Sequence, residues 1–379
     1  MKKYIISIVL MLIFIFPIIS LADNESDEMK ILFKDKNLYN AVVEQLQNSI
    51  ESLDEETLTI SITQEKLNKI KSLNLRERGI GDLTGLESFS NLEYLDLSKN
   101  EISSVEQLKD LKQLKVLSFY ENKIVDLKPL SNLLELEQLY IWENDFTDVT
   151  PLSNLVNLEL LNIGTNQVSD ISSLSKLVNL KNLVINYTNI SDLSVVKKFT
   201  NLNKLWAEGS QITDLSALSD LKNLTYLQID NNKISDISPI ENIRNASIII
   251  KNQKISKNVK EGEKILLPQI FIQAKDSNSI AYTAEEFTIS NAKISEDGKE
   301  LILDKDVKNA QVKINGGRLD GTVFEVTVEQ KAQEPENKVD NTIANKILPK
   351  AGNQFSIVIS ISILIIIISA VILYKKMKF

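Results

Sequence analysis

A 22-residue repeat occupies the middle of this 379-residue chain and restricts the folds that it can adopt. The segment LEYLDLSKNEI, which begins at Leu92, recurs with an apolar lead residue at a constant spacing. The eight lead residues are Ile70, Leu92, Leu114, Leu136, Leu158, Leu180, Leu202 and Leu224. A fixed period of this size is the signature of stacked repeats, in which each unit buries its apolar face only against its neighbours. Residues 70–245 are therefore predicted to form eight coils of a solenoid.

Each repeat combines a strand signal with a turn signal. The fourth residue is always Leu, from Leu73 to Leu227, and the sixth is apolar in every repeat, which predicts a short strand with one buried face. The ninth residue is Asn in five repeats, and its side-chain amide can bond the backbone where the coil turns. These five residues are Asn100, Asn122, Asn144, Asn166 and Asn232, and Thr188 and Ser210 can take over part of the role.

The second half of the repeat predicts a tight helical turn. Seven repeats carry Asp before this turn, where its carboxylate can accept hydrogen bonds from free N–H groups. These residues are Asp82, Asp126, Asp148, Asp170, Asp192, Asp214 and Asp236. Apolar residues then recur every third position, as at Leu127, Leu130 and Leu133, which suits a 3₁₀ turn. The sequence thus predicts an α/β leucine-rich repeat solenoid with a parallel sheet on its concave face and 3₁₀ turns on its convex face.

Other patterns flank the repeats. Residues 23–69 are predicted to form a helical cap, with Leu38, Val42 and Leu46 on one helical face and Thr63 capping a second helix that carries Leu67 and Ile70. After residue 245 the repeat rhythm stops, and short alternating runs predict an all-β sandwich over residues 246–330. The runs are residues 264–273, 286–290, 301–304, 311–315 and 323–329.

The two ends of the chain have the composition of targeting segments. Residues 1–22 combine Lys2 and Lys3, an apolar run and a small-x-small site ending at Ala22, which predicts a signal peptide cleaved after Ala22. An uncleaved membrane anchor is the alternative. Near the other end, a polar linker over 331–346 precedes the sequence LPKAG, a charge-free span at 355–374 and a lysine-rich tail. This span is long enough to cross a membrane as a helix.

The strict 22-residue unit with its I-x-D-L-x-x-L-x-x-L pattern resembles the internalin family of bacterial surface proteins over residues 29–330. The resemblance implies a small helical cap, an immunoglobulin-like domain after the repeats and a role in binding host cells. The C-terminal segment 347–379 resembles the LPxTG-type sorting signal of Gram-positive surface proteins through Leu348, Pro349, Ala351 and Gly352. It implies that sortase joins the chain to peptidoglycan, although Ala351 stands where that family usually has Thr. A plain single-pass anchor is the alternative, and both interpretations predict an exported protein at the cell surface.

The composition argues against catalysis and against nucleic-acid binding. The chain has no His and no Cys, so it lacks the residues of zinc sites of the Cys/His kind, of Cys nucleophiles and of Ser-His-Asp triads. Its net charge of −8 is unsuited to contacts with a phosphate backbone. No phosphate-binding or dinucleotide-binding glycine pattern is present, and capping explains the recurring Asp. We therefore expect no enzyme activity, no cofactor and no metal.

The outward strand positions carry the functional prediction. Large apolar groups are not needed at the third, fifth and seventh positions, because side chains alternate along a strand. Aromatic residues are nevertheless concentrated there, with Tyr187 just beyond its strand: Tyr94, Tyr120, Tyr140, Trp142, Tyr187, Trp206 and Tyr226. Exposed Tyr and Trp are frequent anchors of protein interfaces, so these residues predict a concave surface that binds a protein ligand. Mutual packing of strand aromatics is the alternative. The runner-up function is a structural role, with the repeats as a spacer or as a contact to the cell's own wall polymers.

The charged residues predicted on the same face are mostly acidic. Against Arg76, Lys99 and Lys204 stand five carboxylates, namely Asp96, Glu121, Glu143, Glu208 and Asp230. A ligand with an apolar centre and a basic rim would be complementary to such a face.

Overall fold

The structure is a computed structural model that describes residues 27–241, 243, 246–271, 286–316 and 318–329. The predicted signal peptide, the polar linker and the sorting signal with its span at 355–374 lie outside these residues. Within the described part of the chain, no helix combines the length and the apolar character that membrane crossing requires.

The repeats form one parallel sheet of nine strands in sequential order, β4 to β12. The strands are β4 (Ser72–Asn74), β5 (Tyr94–Asp96), β6 (Val116–Ser118), β7 (Gln138–Tyr140), β8 (Leu160–Asn162), β9 (Asn182–Val184), β10 (Lys204–Trp206), β11 (Tyr226–Gln228) and β12 (Ser247–Ile249). The fourth-position leucines pair with one another across the sheet, and the fourth-position and sixth-position side chains are fully buried. The predicted period-two burial is therefore confirmed.

A 3₁₀ turn follows each of the strands β4 to β11. The turns are Leu86–Ser88, Glu106–Leu108, Lys128–Leu130, Thr150–Leu152, Ser172–Lys176, Ser194–Lys198, Ser216–Leu218 and Ser238–Ile240. Their leading apolar residues join the core, since Leu127, Leu130 and Leu133 are all at most 1% exposed. The parallel sheet and the 3₁₀ turns agree with the predicted leucine-rich repeat solenoid.

The predicted asparagines form a ladder through the turns. Asn100 donates from Nδ2 to the carbonyl oxygens of Leu75 (2.9 Å) and Leu97 (2.8 Å), and its Oδ1 accepts from the N–H groups of Arg78 and Ile80 at 3.0 Å. Each such residue therefore satisfies backbone groups of its own coil and of the preceding one, where they would otherwise be buried without partners. Asn122, Asn144, Asn166 and Asn232 repeat the donor pattern, while Thr188 and Ser210 donate to Ile185.

The solenoid continues one strand further than the eight predicted repeats. β12 pairs with β11, and Ser247 lies opposite Tyr226. The spacing between these two residues is one residue shorter than the 22-residue period, so the period ends here while the sheet continues. Gln253 takes the place of the ladder asparagine: its Nε2 donates to the Ile229 carbonyl (2.9 Å), and its Oε1 accepts from the Ile234 N–H (3.1 Å). The Gln253 side chain is one methylene longer than that of asparagine, so its amide still reaches these backbone groups although this coil is one residue shorter.

The N-terminal cap contains a sheet that the prediction of a helical cap missed. β1 (Glu28–Leu32), β2 (Ser52–Asp54) and β3 (Thr59–Thr63) form an antiparallel sheet in the order β1-β3-β2. The predicted helices are present as α1 (Lys36–Leu46) and α2 (Gln64–Lys69), with Thr63 capping α2 and Ile70 just after its end. Ile60 and Ile62 in β3 are fully buried, because the strand TISIT lies between its two partners and presents both isoleucines to the core.

Asp35 joins this cap to the first coil. Its Oδ1 accepts from the N–H groups of Asn37 and Leu38 at the start of α1, and its Oδ2 accepts from those of Gly81 (2.7 Å) and Asp82 (3.1 Å). One carboxylate therefore satisfies free N–H groups of two elements. The bidentate pair between Arg78 and Glu44 lies at the same junction.

Two sheets follow the solenoid. The first has the order β13-β19-β18-β15, with β13 (Lys254–Lys260) parallel to β19 (Val323–Glu329), and includes β15 (Glu286–Ser290) and β18 (Asn309–Asn315). The second is β14-β17-β16, formed by β14 (Ile265–Leu266), β16 (Ala292–Ile294) and β17 (Glu300–Leu303). Four of the five predicted runs coincide with strands. Of the described residues in the run at 264–273, only Ile265–Leu266 form a strand, and residues 269–271 are helical.

In six repeats the capping aspartate accepts a hydrogen bond from the first N–H of the 3₁₀ turn. In the first repeat Asp82 accepts from the N–H of Thr84, just before the turn, and in the second repeat Ser104 takes the place of Asp. In Asp170, for example, Oδ1 accepts from the Ser172 N–H at 2.7 Å. Hydrogen bonds from the residue two positions on, through its side chain and its N–H, hold the pKa of four of these carboxyl groups below the ordinary value of 3.8. The four are Asp82, Asp148, Asp170 and Asp214.

We expect these four carboxylates to make the solenoid sensitive to acid. Because their pKa is lower in the folded chain than in the unfolded one, their contribution is complete above about pH 5 and is lost as the pH falls through the folded pKa values, below 3.8. The triple variant Asp148→Asn/Asp170→Asn/Asp214→Asn keeps an acceptor oxygen at each turn but does not titrate. Urea midpoints measured between pH 7 and pH 3 should fall less steeply for this variant than for the wild type; parallel curves would contradict the assignment.

Candidate functional site

The concave face of the parallel sheet displays the predicted aromatic residues. The strand registers place third-position and fifth-position side chains of successive coils side by side, about 4.8 Å apart. Five of the seven aromatic side chains are half-buried, while Tyr94 and Tyr187 are exposed, at 37% and 55%. All seven therefore remain accessible, as the alternation of strand side chains predicts.

The seven residues divide into two groups. The N-terminal aromatic cluster comprises Tyr94, Tyr120, Tyr140 and Trp142, and the C-terminal aromatic cluster comprises Tyr187, Trp206 and Tyr226. The fifth coil, which separates them, has no aromatic residue and carries Leu160, Asn162 and Gly164 at its outward positions. The seven residues predicted to line the concave face therefore form two groups along the sheet, with ring contacts within each group.

In the N-terminal aromatic cluster, Tyr120 and Trp142 are stacked, with ring centroids 4.7 Å apart and an interplanar angle of 14°. The Arg76 guanidinium lies over the Tyr120 ring, 5.1 Å from its centroid. Arg76 can reach across the intervening coil because Ser98, at the same repeat position, is small and fully buried. The cluster thus holds its own cation in a cation–π contact.

Two further tyrosines complete this cluster. The Tyr140 hydroxyl donates to Gln138 Oε1 at 3.0 Å, and burial raises the pKa of this tyrosine. Burial also raises the pKa of Tyr94, with smaller contributions from Asp96 and from the neighbouring Tyr140 and Tyr120. Both phenols therefore stay protonated at neutral pH and remain able to donate a hydrogen bond.

In the C-terminal aromatic cluster, Trp206 and Tyr226 are tilted by 41°, with ring centroids 5.2 Å apart. The Lys204 ammonium lies 5.9 Å from the Trp206 centroid. Ala207, although small, is fully buried at the sixth position, so the strand keeps its alternation and Trp206 stays on the outward side.

Glu208 connects the members of this cluster. Its Oε1 accepts from the Tyr187 hydroxyl (2.6 Å) and from Asn231 Nδ2 (3.0 Å), and its Oε2 accepts from Gln228 Nε2 (2.8 Å). Gln228 in turn accepts from the Tyr226 hydroxyl at 3.0 Å. A continuous set of hydrogen bonds therefore fixes Tyr187, Glu208 and Tyr226 relative to one another.

Gly209 supports the Tyr187 ring. Tyr187 lies just past β9 with a φ of 53°, and its ring covers Gly209 of the next coil so closely that a Cβ there would lie 2.4 Å from Tyr187 Cδ1. Gly209 is not among the site residues predicted from the sequence. The available signal was a glycine one repeat after an aromatic residue, at a position where most coils carry a side chain.

The predicted acidic excess on this face is smaller than the sequence suggested. Asp96 and Asp230 are 7% and 6% exposed, and each accepts a backbone hydrogen bond, from Ser98 N and from Lys251 N. Glu121 pairs with Lys99 at 3.4 Å. Within the described residues, no group of three or more acidic side chains is arranged to hold a metal ion.

Comparison with known proteins assigns the repeats to a family. The family model "Leucine Rich repeats (2 copies)" matches residues 90–132, 134–176 and 200–242. No curated protein sequence matches the chain. Among solved structures, an internalin (inlF) from Listeria monocytogenes str. 4b F2365 is 28% identical over 60% of this chain and 78% of its own, with a TM-score of 0.41. The Leptospira interrogans LRR protein LIC12759 is 22% identical over 49% of each chain, with a TM-score of 0.45.

A further structure establishes the family. Internalin C2 from Listeria monocytogenes str. 4b F2365 is 31% identical to this chain, and the match covers 58% of this chain and 94% of internalin C2, with a TM-score of 0.53. Since nearly all of that structure is matched at this identity, the chain described here belongs to the internalin family of leucine-rich repeat proteins.

Proposed function

We propose that this protein is a cell-surface adhesin that binds a protein ligand with the concave face of its repeats, in attachment to a host cell. Internalin-type leucine-rich repeat proteins are typically non-enzymatic scaffolds for protein binding, which supports a binding role in general. The observation that carries the proposal is the pair of accessible aromatic clusters on the concave face. The solenoid core is filled without them, because the fourth and sixth positions of every coil are already fully buried.

The aromatic clusters have the composition of interface hot spots. Trp, Tyr and Arg dominate such sites, and the N-terminal aromatic cluster combines all three in one stack of Arg76, Tyr120 and Trp142. These side chains are held by their neighbours before a ligand arrives, so little conformational entropy is lost on binding.

Ligand capture tests this proposal. The protein and its Tyr140→Ala/Trp142→Ala variant are immobilised and exposed in parallel to host-cell lysate and to purified cell walls. A host protein retained by the wild type and not by the variant supports adhesion. Retention of wall polymer alone, or of no host protein, favours the structural role, with the repeats as a spacer or a wall contact. Equal retention of a host protein by both proteins would mean that the ligand does not depend on Tyr140 and Trp142.

Presentation at the surface is the second part of the proposal. The two sheets after the solenoid, which lie within residues 246–330, would form an immunoglobulin-like domain that extends the repeats outward. Leu348, Pro349, Ala351 and Gly352 would direct sortase attachment to peptidoglycan, with residues 355–374 as the membrane span before processing. A signal peptide cleaved after Ala22 would export the chain.

Covalent anchoring predicts resistance to detergent. Cells boiled in sodium dodecyl sulfate should keep the protein in the wall fraction, and a muralytic enzyme should release it, because a covalent bond to peptidoglycan survives detergent. The matched control is Gly352→Ala, which alters the proposed cleavage site and leaves the apolar span intact. Complete extraction of the wild type by detergent alone would show a membrane anchor instead.

A further inference from the structure

We propose that the C-terminal aromatic cluster is a receptor for one basic side chain of the protein ligand, preferably arginine, with Glu208 as its counter-ion and Tyr187 as its aromatic platform. This inference rests on the proposed function and assigns part of the ligand's chemistry.

Glu208 has unused capacity to accept hydrogen bonds. An ionised carboxylate offers about four acceptor positions, and three of them are occupied by Tyr187, Asn231 and Gln228. All three donors are neutral groups. Within the part of the chain that the structure describes, Glu208 forms no ion pair, so its charge is held in position and still lacks a cation.

Asp230 provides a second carboxylate in the adjacent coil. It occupies the seventh repeat position, as Glu208 does one coil earlier, so two carboxylates follow the neighbouring strands β10 and β11 at equivalent positions, with Asp230 only 6% exposed. Asp230 accepts a hydrogen bond from the Lys251 N–H at 2.8 Å, and no described residue forms an ion pair with it either. Like charges in such a position repel each other, and a bound cation would relieve the repulsion.

Tyr187 presents an exposed ring next to Glu208. One face of the ring covers Gly209, while the side chain remains 55% exposed. Its hydroxyl donates to Glu208, which fixes the ring beside the carboxylate. A guanidinium can stack on such a ring and donate to the adjacent carboxylate at the same time, a geometry that suits the planar arginine group better than a lysine ammonium.

The N-terminal aromatic cluster provides the internal comparison. There the Tyr120 ring already carries the guanidinium of Arg76, 5.1 Å from its centroid. The chain thus contains one arginine–tyrosine stack made within itself, whereas among the described residues no cation lies over the exposed ring of Tyr187. Lys204, the cation of the C-terminal aromatic cluster, lies beside Trp206 instead. We therefore place the basic side chain of the ligand in the C-terminal aromatic cluster.

The chain contains two tryptophans, one in each cluster, so their indole N–H signals report separately. We would titrate the full-length ¹⁵N-labelled protein with N-acetyl-arginine amide and follow the Trp206 and Trp142 indole signals and the Gly209 amide. The Trp206 ring packs against Tyr226, whose hydroxyl donates to Gln228, and Gln228 in turn donates to Glu208. A ligand on Glu208 should therefore change the environment of the Trp206 indole. The expected result is saturable shifts of Trp206 and Gly209 at millimolar probe, with Trp142 unchanged. The uncharged citrulline analogue should give no saturable shift.

Two variants make the test specific. Glu208→Gln removes the charge at nearly constant shape and should weaken probe binding by about tenfold or more. Gly209→Ala should weaken it too, because the new Cβ displaces the Tyr187 ring. The backbone at that position tolerates a side chain, since Lys99, Glu121 and Asn231 adopt the same left-handed conformation in other coils. Lys112→Ala, outside the concave face with a 64% exposed side chain, should leave probe binding unchanged, and thermal melts confirm that each variant is folded.

Equal shifts with the arginine and citrulline probes, or unchanged binding in Glu208→Gln, would overturn the inference. Neither result depends on the macromolecular ligand, so a failure here leaves the proposed adhesion intact. Conversely, a negative result in the capture experiment would not remove an arginine-dependent signal at Trp206.

Discussion

Replacing Leu161 with alanine is expected to lower the free energy of unfolding by about 2–5 kcal/mol, the range for buried leucine truncations. Leu161 is the fourth residue of the fifth repeat and is 0% exposed. Its strand, β8, pairs with β7 on one side and β9 on the other, so Leu139 and Leu183 are its partners in register. A cavity at this site lies in the middle of the stack, where both neighbouring coils lose contacts.

Urea unfolding followed by circular dichroism measures this effect. Leu134→Ala is the matched control, because Leu134 is 49% exposed on the outside of the solenoid, and we expect a change of less than about 0.5 kcal/mol there. If the two variants were equally stable, the assignment of the fourth position to the core would be incorrect.

The repeats could be predicted from the sequence because their structure is nearly one-dimensional. Each coil contacts only its neighbours, so a feature such as the ladder of Asn100 and its equivalents recurs at the repeat period and is visible without a model of the whole fold. The same reasoning fails at the two ends. In the cap, β1 pairs with β3 although α1 and β2 lie between them in the sequence. No repeat period in the sequence indicates such a pairing.

The chemistry of the concave face was predictable only in part. The alternation of side chains along each strand indicates which of them point away from the core, and Trp142 and Trp206 do point outward in the structure. It does not indicate what the adjacent coil or loop contributes, and for this reason the burial of Asp96 and Asp230 was missed. The support of Tyr187 by Gly209 was missed for the same reason, since it depends on two residues in successive coils.

Trp142→Ala is expected to weaken binding of the captured ligand by about 2 kcal/mol or more, or roughly 30-fold in Kd, because a Trp ring in a preformed aromatic cluster is a typical hot spot. The variant also leaves Tyr120 without its stacking partner at 4.7 Å, and the resulting loss of folding stability should stay within about 1.5 kcal/mol. Tyr140→Ala should weaken binding as well, since Tyr140 lies two positions away on the same face. Surface plasmon resonance with the ligand isolated by capture gives the affinities, and thermal unfolding gives the stabilities.

Lys112→Ala is the control for these two variants. Lys112 lies outside the concave face with a 64% exposed side chain, and its contact with Asp110 at 4.0 Å is too long and too exposed to matter for stability. It should therefore change neither affinity nor melting temperature. If binding survived the loss of both Tyr140 and Trp142, their exposure would reflect packing between strand aromatics and not recognition. The ligand would then have to contact another surface, and the C-terminal aromatic cluster, with the carboxylate of Glu208 and the exposed ring of Tyr187, would be the first to examine.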